Sequence, residues 1–164
     1  MEAPIEQCYQ ALHAGAITSF ELIEHLFDPG EFLQSCMAGL APGGIFVCTT
    51  PNWHGFDIQV LQERSSNVCA PNHLNYFNPH SVTTLLRRVG FEEITVTTPG
   101  ELDVDIVYNQ IAGGVMSPEE LPVLGNFIKN ATPEAREDLQ RFLQRHNLSS
   151  NMMAVAKKPN GSSA

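Results

Sequence analysis

The sequence predicts an α/β fold on a mostly parallel sheet, and three observations carry that reading. Short apolar, β-branched runs recur at Ala14–Phe20, Ile45–Thr50, Phe91–Thr98 and Met152–Ala156. Segments of helical spacing lie between them, opening on a cap-and-proline pair at Asp28-Pro29, Asn78-Pro79, Ser117-Pro118 and Thr132-Pro133. Strand and helix signals alternate, as they do where helices cross over between parallel strands.

Each element has its own local cause. Ala14–Phe20 has the length and composition of a buried strand and leads into the acidic turn Glu21-Leu-Ile-Glu-His-Leu. Asp28, Pro29 and Glu31 fit the cap, first and third positions of a helix whose stripe is Leu33, Met37 and Leu40, with Pro42-Gly43-Gly44 as its stop. Ile45–Thr50 is the next strand, ending at Pro51-Asn52. Trp53 to Phe77 is aromatic, rich in Asn and His, and reads as a long loop with a helical piece near Ile58–Arg64. Asn78 caps a helix with Val82, Leu85, Leu86 and Val89 on one face and Gly90 at its end. A strand follows through Phe91, Ile94 and Val96. Asp103 and Asp105 alternate with apolar neighbours, which predicts an exposed strand edge or turn. Two short helices then fit the stripes Leu121, Leu124, Ile128 and Leu139, Phe142, Leu143, before the last strand at Met152–Ala156.

At 164 residues and 43% apolar, the chain suits one ordinary domain. The expected organisation is a domain over 1–158, with a helical insertion over about 101–148, and a disordered polar tail over 159–164. The formal charge is -9, and up to Leu86 a single basic residue, Arg64, faces eight acidic ones. Such a surface repels polyanions, so no nucleic-acid partner is expected. No apolar run approaches the length of a membrane span, and Cys8, Cys36, Cys48 and Cys69 form no Cys-x-x-Cys pair. A reduced, cytoplasmic setting is the simpler expectation.

The chemistry-bearing residues cluster around strand ends. Glu21, Glu24 and His25 stand at i, i+3 and i+4; if that turn is helical, their side chains share one face. With His73 they make a ligand set for Mg²⁺, Mn²⁺ or Zn²⁺. A metal-free alternative makes Glu24, His25 and His73 the acceptor-activating groups, with an imidazole as general base. The third reading is structural, since acidic residues favour any first helical turn. His13, His54, His80 and His146 have no partners at ligand spacing. Asn52, Trp53, Asn75, Tyr76 and Phe77 fall on loops beyond strand ends, where α/β folds bind ligands, and make a candidate acceptor pocket. Phe77 has an alternative role as a staple for the helix starting at Asn78.

Three blocks occur in order: Thr18-Ser-Phe-Glu-Leu-Ile-Glu-His-Leu26, Leu40-Ala-Pro-Gly-Gly-Ile-Phe-Val-Cys-Thr-Thr-Pro-Asn52, and His73-Leu-Asn-Tyr-Phe-Asn-Pro79 with Val89-Gly-Phe91. Together they resemble the C-terminal half of class I S-adenosylmethionine-dependent methyltransferases, in the group of the ubiquinone-biosynthesis O-methyltransferases. The resemblance implies a partial Rossmann-like sheet equivalent to strands 4, 5, 6 and 7 of the order 3-2-1-4-5-7-6, with strand 7 antiparallel. It implies S-adenosylmethionine as cofactor, Phe20 and Glu21 at the cofactor's sulfonium end, and a small-molecule acceptor. The acidic pair with His25 and His73 is also similar to the metal quartet of small-RNA 3′-terminal 2′-O-methyltransferases.

The family's glycine-rich loop, which needs Gly for close backbone approach, has no counterpart, because no Gly-x-Gly occurs in the sequence. The expectation is therefore a chain missing the front half of the fold, as a fragment, a split protein or a mis-assigned start, and weak or inactive alone. Strand 4 would then be an open apolar edge bearing Ile17 and Phe20, free to pair with a complementary half or with itself. A non-catalytic interaction module is the alternative function. A nicotinamide-dependent oxidoreductase loses support because its glycine fingerprint is also missing.

Overall fold

The computed structural model describes residues 13–161. Its strands are β1 (Ala14–Phe20), β2 (Leu40–Pro51), β3 (Glu92–Thr97) and β4 (Asn151–Lys157). Its helices are α1 (Pro29–Gly39), α2 (Phe56–Leu61), α3 (Pro79–Val89), α4 (Asp103–Ala112), α5 (Leu124–Asn130) and α6 (Pro133–Arg145). The sheet order is β1-β2-β4-β3. β1 pairs parallel to β2, while β4 runs antiparallel to both β2 and β3. The first three strands thus share a direction, and only one of the three pairings is parallel. The order matches the 4-5-7-6 segment of the Rossmann-like sheet expected from the sequence.

Local chemistry sets the element ends. Asp28 Oδ1 accepts the Glu31 N–H at 2.8 Å, and Pro29 occupies the first turn of α1. Asn78 and Ser81 cap α3 reciprocally, and Gly90 closes that helix at φ 106, a conformation costly for any residue with a Cβ. Three sequence expectations shift. α1 ends at Gly39, and Leu40 already begins β2, because Pro42-Gly43-Gly44 forms a bulge within that strand and not a helix stop. Gly43 sits at φ 75, its N–H donates to the Lys158 carbonyl, and a Cβ there would lie 2.5 Å from Asn160 Oδ1. The helical piece in the long loop is α2, followed by a 3-10 turn over Gln62–Arg64.

The third shift is larger. Asp103 and Asp105 lie in the first turn of α4 and not on a strand edge; Val104, Val107 and Ile111 form its buried stripe. Asp103 is buried while Asp105 pairs with Arg136 at the surface. The expected tail runs past the described residues after Gly161, and Cys8 lies outside them.

The main core lies between one sheet face and helices α1 and α3. Phe46, Cys48, Met152, Ala154 and Ala156 meet Leu33, Cys36, Val82, Leu86 and Phe91 there. Phe46 is fully buried, with its ring 5.5 Å from that of Phe91 and 6.5 Å from that of Phe32. A smaller core of Leu61, Val107, Ile111, Met116 and Ile128 holds the helical region together. Burial pushes the thiols up, to about 11 for Cys36 and about 12 for Cys48, which makes them packing groups and not nucleophiles. No described helix is long and apolar enough to cross a membrane.

Removing the centre of the main core is expected to cost far more than removing an exposed ring. Phe46→Ala should lower unfolding free energy by about 3–5 kcal/mol in urea denaturation. Phe27→Ala, at a residue 97% exposed, should change it by less than about 0.5 kcal/mol.

Candidate functional site

The tips of β1 and β2 and the start of β4 lie at one end of the sheet, where Pro51 pairs with Asn151. β1 stops at Glu21, whose N–H still donates to the Thr49 carbonyl at 3.0 Å but whose φ of 46 turns the chain away. Ile23–His25 follow as a single 3-10 turn. The segment after the long loop clamps that turn. The N–H groups of Leu74 and Asn75 both donate to the Glu24 carbonyl, and Asn75 Nδ2 donates to the Leu26 carbonyl at 2.7 Å. This clamp brings His73 to Glu24 and His25 across nearly fifty positions of sequence.

Glu24, His25 and His73 offer ligand atoms that all lie within 4.8 Å of one another. Glu24 is 1% exposed; its Oε2 accepts from Thr50 Oγ1 at 2.8 Å, and its Oε1 is buried without a partner. Each imidazole is fixed from behind. His25 Nδ1 lies 2.7 Å from the Asn72 carbonyl and His73 Nδ1 lies 2.8 Å from the Asn67 carbonyl. A carbonyl only accepts, so both Nδ1 atoms carry the proton and both Nε2 atoms are left bare in the neutral rings. His25 Nε2 is 3.7 Å from Glu24 Oε1. A bare imidazole nitrogen and an unpartnered carboxylate oxygen therefore face each other with no donor between them, an arrangement that suits a cation. Backbone carbonyls orienting ligand imidazoles are the usual support of a metal site.

The other sequence candidates divide. Glu21, grouped with this set on helical spacing, stands apart: no helix connects it to Glu24, and its Oε1 faces Asn151 Nδ2 at 3.4 Å. Phe20 ends β1 with 62% of its surface exposed. Trp53 and Tyr76 stack with centroids 4.7 Å apart, and Tyr76 lies beside His73, so these rings form an exposed wall next to the imidazoles. Asn52, Asn75 and Phe77 face inward. Asn52 is fully buried; its Nδ2 donates to the Ser149 carbonyl at 2.9 Å and its Oδ1 accepts from the His54 N–H. Asn75 serves the clamp, and Phe77 belongs to the main core.

Sequence reasoning missed the buried acids nearby. Asp57 and Asp103 line a cavity of about 360 Å³ together with Glu21, Ser150 and Asn151. Asp103 accepts from Ser149 Oγ and the Ser150 N–H, both at 2.5 Å, and from Gln140 Nε2 at 2.7 Å. Asp57 is held more weakly, by a 3.4 Å contact from Ser65 Oγ and nearby backbone N–H groups. Burial, with the charge of Asp103 second, pushes its carboxyl up to about 6. The available signal was the helical spacing of Val104, Val107 and Ile111, which places Asp103 in a first turn.

The comparisons with known proteins agree with this architecture. A family model described as "Methyltransferase domain" matches residues 2–96, more than half of the chain. A probable S-adenosylmethionine-dependent methyltransferase of Mycolicibacterium smegmatis is 34% identical over 76 residues, covering 46% of this chain and 28% of that protein. A ubiquinone biosynthesis O-methyltransferase of Caulobacter sp. strain K31 is 47% identical over 36 residues, 22% of this chain and 14% of that protein. The matched stretches thus span less than a third of these curated relatives. The crystal structure of a SAM-dependent methyltransferase from Archaeoglobus fulgidus superposes with a TM-score of 0.56 at 18% identity, covering 96% of this chain and 66% of that one. One from Thermotoga maritima gives 0.53 at 15% identity, covering 90% and 57%. At these identities the structural likeness establishes the fold alone. With the family model spanning most of the strand, turn and loop that build the site, the chain belongs to the methyltransferase-domain family, on the Rossmann-like sheet of the class I S-adenosylmethionine-dependent enzymes.

Proposed function

We propose that this chain is the acceptor-activating part of an enzyme that moves a methyl group from S-adenosylmethionine to a small-molecule acceptor. The carrying observation is the convergence of ligand atoms of Glu24, His25 and His73, all within 4.8 Å of one another, just beyond the tip of β1. Methyl transfer is a displacement at an electrophilic carbon, so the protein's work is to position the acceptor and ease loss of its proton. Two imidazole nitrogens and one carboxylate suit Zn²⁺ or Mn²⁺ better than Mg²⁺, which prefers oxygen. A divalent ion held by these residues would supply Lewis-acid activation of an acceptor hydroxyl. His25 and His73 keep their orientation through the Asn72 and Asn67 carbonyls, and Thr50 holds the second oxygen of Glu24. Trp53 and Tyr76 form the wall against which an acceptor ring would rest.

On the cofactor side, this sequence has no Gly-x-Gly to cradle the methionine end. Phe20 and Glu21 at the tip of β1 are the cofactor-facing residues of this reading, and a complementary segment pairing along the side of β1 away from β2, where no strand lies among the described residues, would complete the sheet. That edge, with Phe20 62% exposed at its end, supports the second reading, an interaction module that associates through it.

Two measurements test the proposal. One equivalent of Zn²⁺ should raise the melting temperature and shift the side-chain signals of His25 and His73. His73→Ala and Glu24→Gln should lose that response, and Glu21→Gln should keep it. A response surviving Glu24→Gln, or none in the parent, would contradict the metal assignment. Titration with S-adenosylhomocysteine should show only millimolar binding, mapped by amide shifts to Phe20, Glu21 and Leu22. Micromolar affinity would contradict a chain that is weak alone, and shifts confined elsewhere would contradict the cofactor placement.

A further inference from the structure

The 360 Å³ cavity lies at the same end of the sheet as the histidines but on the side of β4 and α4. Glu21, Asp57, Glu101 and Asp103 line it, and no described lysine, arginine or histidine does. Leu102 and Ile106 give it an apolar wall. Asp103 is occupied by its three donors. Asp57 is different. It is 0% exposed, its Oδ1 has no partner, its Oδ2 receives a long 3.4 Å contact from Ser65 Oγ, and the backbone N–H groups of Ile58 and Asp57 offset part of the cost of burial. A carboxyl buried with one bare oxygen, on the wall of an acidic cavity, has no counter-charge among the described residues that line it.

We propose that this cavity is a subsite for a protonated amine, an organic monocation whose ammonium group sits on Asp57 and whose carbon skeleton lies against Leu102 and Ile106. The assignment rests on the proposed methyl transfer only in making that amine part of the acceptor. An ammonium group brings several N–H donors and a compact charge, which matches an unpartnered carboxylate oxygen with further acids at the rim. An anionic ligand would meet four acidic side chains and be repelled. A neutral ligand would leave Asp57 without a counter-charge. The loop that builds this wall also serves the first site: the Asn67 N–H donates to Ser65 Oγ, and the Asn67 carbonyl holds His73.

The elevated Asp57 carboxyl gives a control on folding. The penalty for its charge is absent below its ordinary value of 3.8, grows as pH rises toward about 6, and is full above that. Asp57→Asn should accordingly melt above the parent at pH 7.5, with the gap closing as pH falls to about 4. Loss of ligand binding in this variant would then not be loss of fold.

The test is an NMR titration of the chain at pH 7.5 with EDTA and no methyl donor, so its outcome is independent of the metal and the cofactor. Phenethylamine is the probe, and 2-phenylethanol is its neutral counterpart of similar shape. The amine should shift the amides of Leu102, Asp103 and Ser150 and bind at least about tenfold more tightly than the alcohol, the worth of one charge-assisted contact. Asp57→Asn should erase that preference, Glu101→Gln should weaken it, and Glu92→Gln on β3 should leave it unchanged. Equal binding of amine and alcohol, or amine binding that survives Asp57→Asn, would overturn the proposal. So would a Ca²⁺ titration without EDTA that shifts these amides while the amine does not, since the cavity would then be a cation site of another kind.

Discussion

The burial of the Glu24 carboxylate with only one of its oxygens hydrogen-bonded is the constraint on which the site depends. Removing an ionised carboxylate from water costs several kcal/mol unless partners replace the solvent. Thr50 supplies one partner from the neighbouring strand, and nothing among the described groups supplies the other. The backbone around Glu24 is fully engaged: its carbonyl takes two N–H groups from the 74–75 segment, and Asn75 ties down the end of the turn. Among the described residues, Thr50 Oγ1 donates the one hydrogen bond that holds the side chain itself. The clamp that fixes the turn carrying Glu24 is the same one that delivers His73 beside it.

The two acidic regions at this end of the sheet share the loop between α2 and α3. Ser65 reaches Asp57, Asn67 reaches both Ser65 and His73, and Asn72 reaches His25. The cofactor of this family is itself a sulfonium cation, and the charge of -9 with a single base before Arg87 gives a field that favours cations generally. One electrostatic environment thus suits a methyl donor, a divalent ion and an amine.

Much of the fold was legible because its signals are local. Cap residues beside prolines at Asp28, Asn78, Ser117 and Thr132 each open a helical turn, since the side chain and the N–H it accepts are three residues apart or fewer. The strand order follows from the family resemblance and not from any local pattern. The exposed alternation read at Asp103 and Asp105 failed because the partners that bury Asp103, Gln140, Ser149 and Ser150, lie 37 to 47 residues away. Glu21 left the predicted quartet for a conformational reason. Spacing of i, i+3 and i+4 brings side chains together only on a continuous helix, and Glu21 sits in the left-handed region before a 3-10 turn begins at Ile23. Asn52 and Phe77 were assigned to a pocket on their loop position, yet the bridge between them carries both side chains into the interior.

The central claim is that the imidazoles of His25 and His73 keep a bare nitrogen for a cation beside Glu24 because each spends its only proton on a backbone carbonyl. Long-range ¹H–¹⁵N correlation spectra of the histidine rings, recorded on metal-free chain at pH 8, test this directly. The account predicts the Nδ1–H tautomer for both His25 and His73, with Nε2 unprotonated. An Nε2–H tautomer at either ring would contradict it, because a donor would then already stand between that ring and Glu24.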